Sequence, residues 1–117
     1  MINKTVQTID LAVAGVKDDD TIMVSGFGEA GAPSRLMEAI IEQGATNLTA
    51  ISNNAGEAYH GLAKLIAMKR VNKVICSFPT AAKKAVVKDL YQTGELELEI
   101  VPQGTLSERI RAQGAGI

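Results

Sequence analysis

The chain has 117 residues, of which 46% are hydrophobic, 21% charged and 3% aromatic. Twelve Lys and Arg against thirteen Asp and Glu leave a formal net charge of -1, so there is no electrostatic footprint for nucleic acid or for an anionic membrane surface. No apolar run is long enough to span a bilayer, Met1 to Thr5 lack the apolar stretch of a secretory signal, and the lone Cys76 excludes an internal disulfide or a cysteine-rich zinc site. The expectation is one cytoplasmic domain with an aliphatic core and no metal.

Thr5 to Val16 carries Val6, Ile9, Leu11, Val13 and Val16 at spacings that suit a helix with one buried face. Lys17 to Asp20 is a turn. Thr21 to Val24 is a short apolar run stopped by Gly26, and reads as a strand buried on both faces. Pro33 stands where the first turn of a helix tolerates it, Leu36, Ile40 and Ile41 follow at helical spacing, and Gly44 closes the segment as a cap.

The cycle then repeats. Asn47 to Ser52 is a second strand, Gly61 to Lys69 a helix, Lys73 to Cys76 a third strand and Thr80 to Gln92 a helix. Leu96 to Val101 alternates Leu and Ile with Glu97 and Glu99, which predicts a strand near a sheet edge with one face in water. Thr105-Leu106-Ser107-Glu108 has the pattern of a capping box opening a last helix, and Ala112 to Ile117 is glycine-rich and loop-like. Strands alternating with helices give an α/β fold with an open, mostly parallel sheet. The loop-like end leaves the final helix little to pack against, so the chain reads as truncated or cleaved.

In an open α/β sheet, ligands bind beyond the carboxyl ends of the strands. The loops there are Ser25 to Pro33, Ser52 to Gly56, Ser77 to Pro79 and Pro102 to Gly104. Most of them combine glycine with an amide or a hydroxyl. Gly26, Gly28 and Gly31 match the dinucleotide spacing formally, but the second strand ends in Ser52, Asn53 and Asn54 where a ribose-binding acid is needed, and no Lys-Ser or Lys-Thr follows Gly31. A ligand-free strand-to-helix turn explains the glycines equally well. Asn53 and Asn54 are either turn residues or neutral donors for a carboxylate. Gln103 is either an idle loop residue or a donor to an oxyanion.

Other polar groups carry bland readings. His60 has no Ser or Cys partner at a recognisable spacing, Cys76 ends an apolar strand as a small hydrophobe, and Glu95, Glu97 and Glu99 form a solvated strand face. Lys83, Lys84 and Lys88 read as the wet side of a helix. Glu29, a carboxylate in a glycine loop, looks catalytic without further support.

Three segments together resemble the α subunit of family I coenzyme A transferases acting on 3-oxo acids: Ile22 to Pro33, Leu48 to Gly56, and Val101 to Arg111 with its Pro-Gln-Gly-Thr-Leu and Glu-Arg-Ile-Arg runs. The match runs in order from about Thr5 to Ile117. Two departures stand out: Ser25 replaces the first of a Gly-Gly pair, and Asp19 stands where glycine is common. The resemblance implies the CoA-transferase (NagB/RpiA-like) fold, with residues 1–117 as the N-terminal part of a single α-subunit domain. It implies a ping-pong reaction in which CoA moves from succinyl-CoA to a 3-oxo acid through a glutamyl-CoA thioester. That glutamate belongs to a Ser-Glu-Asn-Gly-type motif of a separate β subunit, so no catalytic residue is expected in this chain, Glu29 included, and the assembly is an α/β hetero-oligomer. Ser25, Gly26, Phe27, Gly28, Glu29, Ala30 and Gly31 would form the coenzyme loop, and Asn53, Asn54 and Gln103 would line the substrate pocket. Coenzyme A is a substrate here and no metal is needed. The Cys76 to Pro79 stretch resembles the 3-oxoadipate branch more than the acetoacetate branch. A non-catalytic, metabolite-binding or regulatory domain of the same fold is the alternative.

Overall fold

The computed structural model describes residues 1–57, 59–79 and 86–117. Among these, the elements run α1 Ile9–Val13, β1 Thr21–Val24, α2 Ser34–Gln43, β2 Leu48–Asn54, α3 Gly61–Ala67, β3 Val71–Phe78, α4 Val86–Gln92, β4 Glu97–Ile100 and α5 Gln103–Ala115. The strands form one sheet in the order β1-β2-β3-β4, every pair parallel. Right-handed crossovers between neighbouring parallel strands place the connecting helices on a single face. Accordingly α1 packs on α2, α2 on α3 and α3 on α4, whereas α5 meets β3.

The core lies between that helical layer and the sheet. Residues alternate strictly between buried and half-buried along β2, so Leu48 and Ala50 point into the helices while Thr49, Ile51 and Asn53 point the other way. Val74 and Cys76 of β3 and Leu65 and Ile66 of α3 complete a fully enclosed aliphatic centre. Cys76 packs there as the small hydrophobe expected, and burial pushes its thiol above the ordinary cysteine value.

Several boundaries differ from the sequence expectation. The first helix is five residues rather than twelve, because the Thr8 hydroxyl accepts the Leu11 amide at 3.2 Å and starts it late. β1 is an edge strand with only one face buried, and Met23 is 61% exposed. β2 and β3 continue two residues past the apolar runs, to Asn54 and Phe78. The last helix begins at Gln103 and runs through the glycine-rich tail to Ala115. Its capping box does not form: Pro102 occupies the cap and its carbonyl accepts the Leu106 amide at 2.9 Å, so Thr105 and Glu108 sit inside the helix. The Glu108 side chain instead bonds Arg111. Of the fourth helix, residues 86–92 are described; Lys83 and Lys84 lie outside the described residues, and Lys88 is exposed.

Asp19, one of the two departures from the family pattern, adopts φ 69°, a left-handed backbone that favours glycine and is tolerated by Asp. Its neighbours hold the turn: Asp18 accepts from the Thr46 amide at 2.8 Å and Asp20 from the Lys17 amide at 2.8 Å. No helix among the described residues is long and apolar enough to cross a membrane.

β4 is the opposite edge, as its alternating glutamates suggest. Those glutamates are paired rather than merely solvated. Lys73 reaches Glu97 at 2.8 Å and Glu99 at 3.4 Å, and Arg109 of α5 reaches Glu99 at 2.7 Å, which ties α5 to the second face of the sheet. The Arg109 hydrogen bond, followed by that of Lys73, holds the Glu99 carboxyl below its ordinary value, and the bond to Glu97 raises Lys73. A depressed carboxylate stabilises the fold above its ordinary pKa and loses that contribution as pH falls through the folded value; a raised lysine loses its contribution as pH climbs through its own. These groups are solvent-exposed, so the effect is small. The urea midpoint should fall between about pH 5 and about pH 3, and Glu99→Gln should flatten that loss. An identical acid-side slope in the variant would show that the pairing contributes nothing.

Candidate functional site

The parallel register dictates what meets at the carboxyl ends of the strands. Ser52 is level with Cys76 and Asn54 with Phe78, so Asn53 and Ser77 stand opposite each other on the face away from the helical core. Gln103, the first residue of α5, reaches the same point. Asn53 Nδ2 donates to Gln103 Oε1 at 2.9 Å and to Ser77 Oγ at 3.2 Å. Ser77 Oγ lies 2.9 Å from both Gln103 Oε1 and the Asn53 carbonyl oxygen, and its single proton can serve one of them at a time.

The bonds continue in one direction. The Gly56 amide donates to Asn54 Oδ1 at 2.7 Å, and Asn54 Nδ2 donates to Asn53 Oδ1 at 3.2 Å. At the far end Gln103 Nε2 makes only a long contact of 3.4 Å to Ser107 Oγ. Each amide thus accepts at its oxygen and donates from its nitrogen, an arrangement in which successive bonds polarise one another. Asn54, buried at 8% exposure, does the local turn work through Gly56, while the half-buried Asn53 faces its cross-strand partners.

The glycine loop is a miniature hairpin. Phe27 and Ala30 exchange backbone bonds of 2.9 and 3.2 Å around Gly28 and Glu29. Gly28, at φ 60°, takes the first central position, the glycine-first pattern that suits a right-twisted hairpin. The Ser25 hydroxyl donates to the Gly31 carbonyl at 3.0 Å and straps the base of the loop. α2 starts only at Ser34, beyond Pro33. This is not the direct strand-to-helix turn in which a dinucleotide pyrophosphate sits on the helix N-terminus.

Gly28, Asn53, Asn54 and Gln103 open onto one cleft of about 730 Å³. Phe27 and Glu29 line it as well, whereas Ser25, Gly26, Ala30 and Gly31 do not, Ser25 standing beside a much smaller neighbouring hollow. Four lining residues were not assigned to the site from sequence: Gly56, Ser77 and Phe78, which lie in the strand-end loops named there, and Glu57, which lies outside them. Ser77 had a signal, the period-2 alternation from Lys73 through Ile75, which only required β3 to continue past Cys76. Phe27 and Phe78 are the two phenylalanines of the chain, 78% and 56% exposed, and both stand at this cleft. Glu57 had no signal in the sequence. Among the described residues neither the Glu29 nor the Glu57 carboxylate has a hydrogen-bond or ion-pair partner. His60 is the exposed N-cap residue of α3 and makes no side-chain cap bond. Among the described residues no group of three His, Cys, Asp or Glu stands together as a metal site would need.

These features define an α/β protein with a parallel sheet whose strand ends present a connected row of neutral amides to one open cleft. The sequence profile of the coenzyme A transferase family matches residues 6–117, and the chain belongs to that family. It is 54% identical over 117 residues to the A subunit of the 3-oxoadipate CoA-transferase of Pseudomonas putida, covering all of this chain and 51% of that protein. Against the A subunit of the succinyl-CoA:3-ketoacid coenzyme A transferase of Helicobacter pylori the identity is 39% over 116 residues, covering 99% of this chain and 49% of that one. The chain therefore spans about half the length of these curated relatives. An Escherichia coli acyl-CoA transferase solved as a thioester complex with CoA superposes on 93% of this chain and 22% of its own, with a TM-score of 0.75 and 23% identity, a likeness of fold.

Gly56 is the structural hinge of the amide row. It holds φ 85°, and a Cβ there would lie 2.6 Å from the Ala63 amide nitrogen of α3. Gly56→Ala should lower the unfolding free energy by about 2 kcal/mol or more, read from the urea midpoint. A midpoint equal to that of the unsubstituted chain would show that α3 gives way freely.

Proposed function

We propose that this chain is part of the α subunit of a CoA-transferase that moves CoA from succinyl-CoA to a 3-oxo acid, with the reacting glutamate supplied by a β subunit. The observation that carries the reading is the polarised row from Gly56 through Asn54 and Asn53 to Gln103, a residue that lines the cleft and whose Nε2 makes only a long contact of 3.4 Å to Ser107. CoA transfer between carboxylates proceeds by attack of a carboxylate on a thioester carbonyl, expulsion of the CoA thiolate, and return of that thiolate to the other carbonyl of the resulting anhydride. Each addition places negative charge on a carbonyl oxygen. Neutral donors held in advance stabilise that charge without reorganising, and without protonating the thiolate or hydrolysing the anhydride.

The two carboxylates of the cleft are poor nucleophile candidates. A glutamate that attacks a thioester must be held at reacting distance, and Glu29 and Glu57 are exposed loop residues with no partner to orient them among the described residues. The hairpin from Phe27 to Ala30 offers backbone at the mouth for the coenzyme, with the bond from Ser25 to the Gly31 carbonyl at its base and Gly26 beside it in the chain. The acceptor we favour is 3-oxoadipate over acetoacetate. Relatives named for 3-oxoadipate are 54% and 49% identical, against 47% for the mouse succinyl-CoA:3-ketoacid coenzyme A transferase 2A and 39% for the Helicobacter pylori protein.

Two measurements test this. After the full-length chain is co-expressed with its β partner and incubated with succinyl-CoA alone, intact-mass analysis should find the CoA thioester on the partner; a thioester on Glu29 or Glu57 would overturn the division of labour. In the same complex, Gln103→Ala should slow CoA transfer to 3-oxoadipate more than about tenfold, as loss of one oxyanion donor does. An unchanged kcat would remove Gln103 from the site.

A further inference from the structure

Gln103 is exposed, and a glutamine side chain has enough rotatable bonds to sample many directions unless something holds it. Here its Oε1 lies 2.9 Å from two donors, Asn53 Nδ2 and the Ser77 hydroxyl, the second of which it shares with the Asn53 carbonyl. The amide cannot be turned over, because its NH2 would then face the NH2 of Asn53. With Oε1 pinned to the strand ends, Nε2 has only the 3.4 Å contact to Ser107, and Gln103 itself lines the cleft.

We infer that Ser77 is a positioning residue for CoA transfer, acting through the side-chain amide of Gln103. Ser77 is suited to this in a way that neither neighbour on its strand face is. It lies directly across from Asn53 and accepts one of that side chain's two amide protons at 3.2 Å, which directs the other at Gln103. Its own proton goes either to the Asn53 carbonyl or to Gln103 Oε1, both 2.9 Å away. In the first state the hydroxyl fixes the strand pair that carries the amide; in the second it bonds the amide itself. Removing the hydroxyl leaves Gln103 on a single tether in a water-accessible place, where water competes for the same oxygen, and the donor is then no longer preorganised. The inference rests on the transferase reading for the role of Gln103, and adds Ser77 to it.

The test is a double-mutant cycle in the full-length complex with its β partner, with succinyl-CoA and 3-oxoadipate as substrates. Ser77→Ala should lower kcat about tenfold while KM for the acid stays within about twofold, since the effect falls on a donor used as charge develops. Ser77→Thr, which keeps the hydroxyl on a residue that suits a strand, should restore kcat to within about threefold. On a Gln103→Ala background, Ser77→Ala should change kcat by less than about twofold. A full kcat in Ser77→Ala overturns the inference, and so does an equal loss with and without Gln103, which would mean that Ser77 supports the fold alone. Ser77→Cys fills the same space with a weak donor and should behave as Ser77→Ala, so a variant that folds is at hand in either case. If Gln103→Ala alone leaves kcat intact, or the unsubstituted complex transfers no CoA, it is the transferase reading of the cleft that fails, and the role of Ser77 with it.

Discussion

Continuation of the β2–β3 ladder beyond its apolar stretch is the constraint on which the site depends. Through Ser52 and Cys76 the two strands are held together by burial as well as by backbone bonds, with Leu48, Ala50, Val74 and Cys76 packed under the helices. Past that point the pairing carries polar side chains, and it persists because the side chains themselves bond across it: Asn53 to Ser77, and Ser77 back to the Asn53 carbonyl. The hydrophobic centre sets the register and the register sets the chemistry. A slip of one residue in either strand would turn its cleft-facing side chain, Asn53 or Ser77, toward the helical layer. The enclosed aliphatic contacts that forbid the slip thus act on the cleft from a distance.

The two faces of the sheet divide the work. Helices α1 to α4 cover one and supply most of the buried area. The other carries α5, whose first residue closes the amide row and whose Arg109 pairs with Glu99 on the edge strand. α5 is thereby held at both a neutral and a charged contact, and Leu106 between them is buried at 3% exposure. Surface ion pairs contribute little to stability individually. A pair that fixes the azimuth of a helix bearing a donor can matter more for geometry than for free energy.

Much of this could be read from residues alone. The parallel alternation followed from short apolar runs separated by helical spacings, and the rim of strand-end loops followed from the rule for open α/β sheets. The resemblance to CoA-transferases rested on the loops and on the start of α5. What escaped had physical reasons. Hydrophobicity marks where a strand is buried, not where its ladder ends, so the apolar run of β3 stops at Cys76 and Ser77 passed for a loop residue. The capping pattern at Thr105 was a true local preference outweighed by Pro102, whose ring fixes φ and whose carbonyl begins the helix earlier. The glycine triplet matched a dinucleotide fingerprint in spacing only. Glu57 could be placed near Gly28 by tertiary structure and by nothing in its own neighbourhood.

The turn at the cleft mouth is closed by main-chain bonds between Phe27 and Ala30 and shaped by the backbone freedom of Gly28, so the side chain at position 29 takes no part in holding it. Residue 29 is therefore decoupled from the stability of its own loop. Charge, length or polarity there can vary while the scaffold stays put, so the rim of the cleft can change its character without cost to the turn that carries it.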